Sequence, residues 1–278
     1  MTFMTQMSVG QLRLMTASDI EDASGLSTAA GWNQSDNDWR RLLEWAPRGC
    51  FGIEVEGNLV ASTTAVCYQR DLAWIGMVLT HPEYRGRGFA SRLLAQALEF
   101  TEAAGIRTIK LDATGQGRPL YEKFKFVAEQ PVERWIRSGS GEATPSNSSA
   151  PLESSLFRID REAFGADRSE LLCALGQHSA INRAPDAFLF SRPGRVANYL
   201  GPCVARDSQT AQQMIREAIT QAASASWYWD LLPENKEAVA LANDLGFRPQ
   251  RFLTRMTRGK ALRGRDSMIY AIAGFELG

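Results

Sequence analysis

The stretch "HPEYRGRGFASRLLAQALEF", residues 81–100, sets Arg85, Gly86, Arg87 and Gly88 directly ahead of a run in which Phe89, Leu93, Leu94, Ala97 and Leu98 recur at helical spacing. Two glycines free the backbone of that turn to approach a ligand closely. Its N–H groups and the positive end of the following helix dipole make an anion site, to which Arg85 and Arg87 add charge-assisted contacts. A diphosphate suits such a site. A solvated turn ahead of a core helix has the same composition, so the turn by itself leaves both readings open.

Working outward, apolar alternation predicts strands over residues 12–15, 51–55, 59–68, 73–80, 108–111 and 127–136. Helices fill the gaps. Ser18 and Asp19 offer N-caps to the first, and Asp36 or Asp38 to a second that carries Trp39, Leu42, Leu43 and Trp45; Gly105 closes the long one. The order β-α-α-β-β-β-α-β-α-β predicts an α/β fold with local antiparallel pairing. Residues 138–155 are dominated by Ser, Gly and Pro and read as a linker, dividing the chain into domains 1–137 and 156–278.

Composition narrows the function. Thirty-one basic residues balance 31 acidic ones, which predicts no nucleic-acid or anionic-membrane footprint and favours a small partner. The opening "MTFMTQMSVG" lacks the basic flank and apolar run of a signal peptide, and no stretch reaches the roughly 20 apolar residues of a membrane span, so a cytoplasmic location is expected. Cys50, Cys67, Cys173 and Cys203 are far apart and His81 and His178 are the only histidines. That spacing predicts reduced thiols and no metal site.

The segment "AWIGMVLTHPEYRGRGFASRLLAQALEF", residues 73–100, followed by "IKLDATGQGRPLYEKFKF", residues 109–126, resembles the GNAT superfamily of N-acetyltransferases. The family's cofactor loop, Arg or Gln, any, any, Gly, any, Gly or Ala, is matched by Arg85, Gly88 and Ala90. The resemblance implies that residues 85–90, Phe89 included, hold the pyrophosphate of coenzyme A. It also implies that the strand before them, with Met77, Val78 and Leu79, offers main-chain groups to the pantetheine and thioester of acetyl-CoA. Tyr121 matches the tyrosine that the family uses to protonate the leaving thiolate. Packing of that ring on a short helix is its structural reading. The family's usual base, a glutamate on the fourth strand, has no counterpart in residues 73–80. Asp112 is the leading substitute, with capping of the turn "DATGQG" an equally good account of it. Trp32 and Asn33, between the first two helices, suit a small polar amine acceptor.

The second half repeats the first. "YLGPCVARDSQTAQQMIREAI", residues 199–219, can be laid on residues 74–98, and "YWDLLPENKEAVALANDLGF", residues 228–247, on residues 109–126. In the repeat the loop is shorter by about four residues, Pro202 stands for Met77 and has no N–H, and Ala242 stands for Tyr121. Asp230 corresponds to Asp112. The layout resembles a two-domain bacterial group of the superfamily, with an intact N-terminal GNAT domain and a worn C-terminal one, each a mixed, mostly antiparallel sheet flanked by helices. Two functional classes follow. One is an acetyl-CoA-dependent N-acetyltransferase acting on a primary amine, with the second domain completing the acceptor pocket; the other is a coenzyme A-binding sensor without turnover.

Overall fold

The computed structural model describes residues 10–141, 143–145 and 152–278. The first nine residues and most of the centre of the expected linker, positions 142 and 146–151, lie outside the described residues. In the first half, strand β1 (Gln11–Leu14) leads to helices α1 (Ile20–Ala29) and α2 (Asp36–Trp45). Strands β2 (Cys50–Val55), β3 (Asn58–Tyr68) and β4 (Leu72–Thr80) form an antiparallel meander. Helix α3 (Phe89–Ala103), β5 (Thr108–Thr114), α4 (Arg118–Lys123) and β6 (Val127–Arg137) complete the set. The second half runs α5 (Ser154–Phe164), α6 (Ser169–Gly176), β7 (Ala180–Ala184), β8 (Ala187–Arg192), β9 (Asn198–Ala205), α7 (Ser208–Gln221), β10 (Trp227–Leu231), α8 (Lys236–Asp244), β11 (Arg248–Gly259) and β12 (Ile269–Ala271).

Local signals account for most of these elements. The N-cap of α2 is neither Asp36 nor Asp38 but Ser35, whose hydroxyl and N–H both donate to the Asp38 carboxylate at 2.9 Å in a capping box. Trp39 is wholly buried and its indole N–H donates to the Ser27 hydroxyl at 2.9 Å, which ties α2 to α1. The linker is shorter than expected at its far end, because Ser154 and Ser155 already belong to α5.

The sheet departs from the expectation. The two halves do not form separate sheets. Twelve strands join into one, in the order β1-β2-β3-β4-β5-β11-β6-β10-β9-β8-β7, with β12 paired to β9. Strand β11 of the second half lies between β5 and β6 of the first, and β6 lies between β11 and β10, all antiparallel. The halves have exchanged their last long strands. Alternation specifies a strand and its faces but not its partner, and β6 and β11 are equivalent strands in the repeat, so pairing across the halves leaves each strand's local pattern unchanged.

Buried ion pairs hold the exchange. Asp112 on β5 faces Arg255 on β11, and Asp230 on β10 faces Arg134 on β6, each in direct register. Arg255 Nε and Nη2 donate to the two Asp112 oxygens at 2.9 and 3.1 Å; Arg134 Nε and Nη2 donate to those of Asp230 at 2.7 and 2.6 Å. Both are two-pronged carboxylate contacts suited to arginine. Each joins one half to the other.

Candidate active site

Strands β4 and β5 are parallel neighbours only at Leu72, Ala73 and Trp74, opposite Thr108, Ile109 and Lys110. Beyond Trp74 they separate, and the gap opens into a cleft of about 480 Å³. Sheet geometry makes the wall of this cleft irregular. Ser62 pairs with Leu79 and Thr64 with Gly76, so one residue of β3 faces two of β4, a bulge at which Met77 adopts a φ of 50°. The Ser62 and Thr63 hydroxyls donate to the Met77 and Gly76 carbonyls at 2.8 and 3.3 Å. The open edge of β4 therefore presents main chain to the cleft.

Of the residues singled out by sequence, Trp32, Met77, Val78, Leu79, Arg85, Ala90, Asp112 and Tyr121 all line this cleft. The glycines of the loop have left-handed backbone, φ 78° at Gly86 and 79° at Gly88, which is the N-cap of α3. A Cβ at either would meet no atom within 4 Å, so conformation rather than crowding calls for glycine there. Arg85 Nε donates to the Thr80 carbonyl at 3.3 Å, while the Arg87 guanidinium lies 4.7 Å from the Tyr84 ring centre. Phe89 is turned into the core and stacks on Tyr84.

Tyr121 is buried, edge-on to Phe126, with no protein partner for its hydroxyl among the described residues. Burial pushes its phenol up to about 12, so it stays protonated through neutral pH and can donate but not accept a proton there. Asp112 is held on both oxygens by Arg255; burial pushes its carboxyl up and the guanidinium opposes that. Its side chain joins two strands rather than capping the turn that follows. Asn33 is placed elsewhere. Its amide donates to the Ala197 carbonyl at 2.9 Å and accepts from the Val196 and Ala197 N–H groups at 2.8 and 3.0 Å, so it clamps a loop of the second half.

Among the cleft residues that the sequence did not single out are Gln34, Arg134, Arg251, Phe275 and Glu276. Glu276 carried the one signal, a single acid inside the apolar, glycine-flanked "YAIAGFELG". Trp74 on β4 donates its indole N–H to the Phe275 carbonyl at 2.9 Å. Among the described residues no group of three or more His, Cys, Asp or Glu side chains is placed to hold a metal, and no helix is long and apolar enough to cross a membrane. The thiols of Cys50 and Cys203 are buried and pushed up by that burial.

Comparison with known proteins agrees with this geometry. Residues 19–126 match the acetyltransferase (GNAT) family and residues 156–271 an acetyltransferase (GNAT) domain. The uncharacterized N-acetyltransferase YitH of Bacillus subtilis is 30% identical over 203 residues, 67% of this chain and 70% of that protein. Holothin acyltransferase of a Pseudoalteromonas species is 23% identical over 262 residues, 90% of this chain and 88% of that one. An acetyltransferase-like protein of Pyrococcus horikoshii shares the fold, with a TM-score of 0.84 at 24% identity over 97% of this chain and 96% of that one. The chain belongs to the GNAT acetyltransferase family and carries two GNAT domains in tandem. It is an acyltransferase of a fold built to bind coenzyme A.

Proposed function

We propose that the protein transfers the acetyl group of acetyl-CoA to a primary amine of a small molecule, and that only the first half, residues 1–137, binds the co-substrate. The observation that carries this is the shared cleft, where the open edge of β4, Arg85 and Ala90 at the two ends of the turn, and Tyr121 meet. The residues fit the group. Left-handed Gly86 and Gly88 lead into the N-terminus of α3, which with Arg85 and Arg87 suits a diphosphate. Bound acetyl-CoA supplies an acetyl thioester. Main-chain N–H groups at Met77, Val78 and Leu79 orient the thioester and stabilise charge that develops on its oxygen, while Tyr121 gives its proton to the leaving sulfur. Trp32 forms the acceptor side. Likeness to holothin acyltransferase over most of both chains supports a small-molecule acceptor.

The second half supports the single-site reading. Its loop between β9 and α7 is Arg206 and Asp207 alone. Arg206 is paired with Glu162 at 2.7 Å and Asp186 at 3.3 Å, and the Asp207 carboxylate caps α7 by accepting from the Thr210 N–H at 2.8 Å. An anion at that helix start would meet a carboxylate already in place. Calorimetric titration of the full chain is expected to give one coenzyme A per chain, and acetyl-CoA with an amine panel is expected to release thiol. Two sites per chain would overturn the single-site reading; one site with no turnover on any amine would leave a coenzyme A-binding sensor.

A further inference from the structure

Segment 272–278 of the second half docks on the first half beside the cleft. Trp74 on β4 donates to the Phe275 carbonyl at 2.9 Å and Tyr68 on β3 donates to the Leu277 carbonyl at 2.5 Å, so residue 276 is fixed from both sides. The approach is close. A Cβ on Gly76 would lie 2.8 Å from the Cα, Cβ and carbonyl oxygen of Glu276, which is why β4 has glycine next to its bulge. Glu276 lines the cleft together with Ile75 to Thr80, and its carboxylate lies beside Gly274, where a Cβ would meet its two oxygens at 2.8 and 2.9 Å.

Its electrostatic setting differs from that of the other deeply buried acids. Asp19, Asp160 and Asp230 each pair with an arginine, at 2.7, 2.9 and 2.6 Å. Glu276 is 7% exposed and forms no ion pair among the described residues; Gln34 is its polar neighbour in the cleft lining. Arginines in the lining divide in the same way. Arg134 is neutralised by Asp230, and Arg85 belongs to the loop before α3. Arg251, half-buried on β11, has neither an ion pair nor a side-chain hydrogen bond among the described residues, and its guanidinium lies 5.4 Å from the Trp32 ring centre and 5.9 Å from that of Phe275. The acceptor end thus holds one unpaired acid and one unpaired base, with aromatic faces between.

We propose that the acceptor is an amine bearing its own carboxylate, an amino acid or a molecule ending in one, whose carboxylate binds Arg251 and whose ammonium proton passes to Glu276. This rests on the acetyl-transfer reading and names its substrate class. The ammonium gives one proton to Glu276, the freed nitrogen bonds to the thioester carbon, and the carbon–sulfur bond breaks. Sulfur leaves with the Tyr121 proton, and the second nitrogen proton restores the phenol through solvent. One proton is released overall. A guanidinium facing a carboxylate, as half-buried Arg251 would, supplies two parallel hydrogen bonds that an amide or a decarboxylated amine cannot accept. Burial holds the Glu276 carboxyl above the usual glutamate range, against the opposing charge of Arg192. Asp38, Arg41, Arg134, Tyr68 and Tyr199 are the other charged or titratable groups that act on it.

Leucine, phenylalanine and lysine, each offered with acetyl-CoA as free acid, amide and decarboxylated amine, test the proposal by thiol release from the full chain. In at least one series the free acid is expected to have kcat/KM about 10- to 100-fold above its two analogues. Arg251→Met is expected to erase that preference by lowering the acid alone. Calorimetry in the presence of coenzyme A should show the same loss of preference for N-acetylphenylalanine over its amide. Glu276→Gln is expected to lower kcat about 100-fold on all amines, with unchanged thermal midpoint, and to remove the rise of rate with pH that deprotonation of Glu276 produces. Turnover with equal kcat/KM for acid and amide, or a wild-type pH profile in Glu276→Gln, would overturn the assignment and leave acetyl transfer standing. Absence of coenzyme A binding would instead defeat the transfer reading and this inference with it.

Discussion

Two equivalent gaps in the sheet have different contents. In the first half β4 and β5 pair over three residues and then part; in the second, β9 and β10 pair at Asn198, Tyr199 and Leu200 opposite Trp227, Tyr228 and Trp229 and then part likewise. The first gap is the cleft. The second is filled by the protein's own chain, because β12 pairs with β9, the Ile272 N–H donates to the Asp230 carbonyl at 3.0 Å, and the Tyr199 hydroxyl donates to the Ile272 carbonyl at 3.3 Å. A Cβ on Gly201 would collide with that Ile272 carbonyl, as one on Gly76 would collide with Glu276. One segment therefore plugs the copy and then, four residues on, furnishes the original. The second half, with a two-residue turn before α7 and Ala242 on α8, thus holds its own chain where the first half has an open cleft.

The paired staples give the sharpest break of this comparison. Asp230 serves no open cleft, so Asp230→Asn isolates what such a staple contributes to stability: it leaves Arg134 buried without its charge partner and is expected to cost about 3–5 kcal/mol. Asp112→Asn should cost a similar amount through Arg255. Urea denaturation measures both. With both variants assayed where they are folded, equal stability loss and retained turnover in Asp112→Asn would make Asp112 a staple only, whereas stability loss confined to Asp230→Asn with turnover lost in Asp112→Asn would make Asp112 the proton acceptor in place of Glu276.

Element positions were largely legible because they depend on local pattern. The strands expected over residues 59–68 and 73–80 are observed at Asn58–Tyr68 and Leu72–Thr80, and Gly105, with φ 71°, stands just past the end of α3. Pairing was not legible. Leu253 and Met256 are buried as residues of a closing strand of a second sheet would be, and nothing in "RFLTRMTRG" states that Thr114 and Leu111 will be opposite. The cleft divided along the same line. Arg85, Ala90 and Tyr121 are carried by contiguous motifs, while Arg251 and Glu276 reach the cleft only through the strand exchange and the docking of segment 272–278, both long-range events.

Tyr121 and Ala242 occupy matching helices, and exchanging their difference should affect chemistry rather than folding. Tyr121→Phe keeps the ring against Phe126 and removes only a hydroxyl that lacks a protein partner among the described residues. The acetyl-transfer step is expected to slow about 100-fold while coenzyme A affinity and thermal midpoint hold. Single-turnover kinetics at saturating acetyl-CoA measure this. Because burial pushes the phenol up to about 12, wild-type activity should show no fall attributable to its ionisation through neutral and mildly alkaline pH. An unchanged chemical step would reduce the contrast with Ala242 to packing.

The smallest expected effect tests why the loop of the first half is long and the other short. If the main chain does the binding, what matters at residue 88 is the left-handed conformation at φ 79°, which a β-branched residue resists by about 1–3 kcal/mol even though a Cβ there meets no neighbour. Gly88→Val is therefore expected to weaken coenzyme A about tenfold by displacing the N–H groups that open α3. Arg87→Ala removes an exposed charge that rests on the Tyr84 ring and donates to the Glu83 carbonyl at 3.2 Å, so its loss should weaken binding by no more than about fivefold and less at high salt. Calorimetry at two salt concentrations separates the two terms. The reverse order, with Arg87→Ala the more damaging and its effect vanishing in salt, would assign the diphosphate to side-chain charge, and the two-residue turn at Arg206 and Asp207 would then differ from the long loop in its neutralised arginine more than in its length.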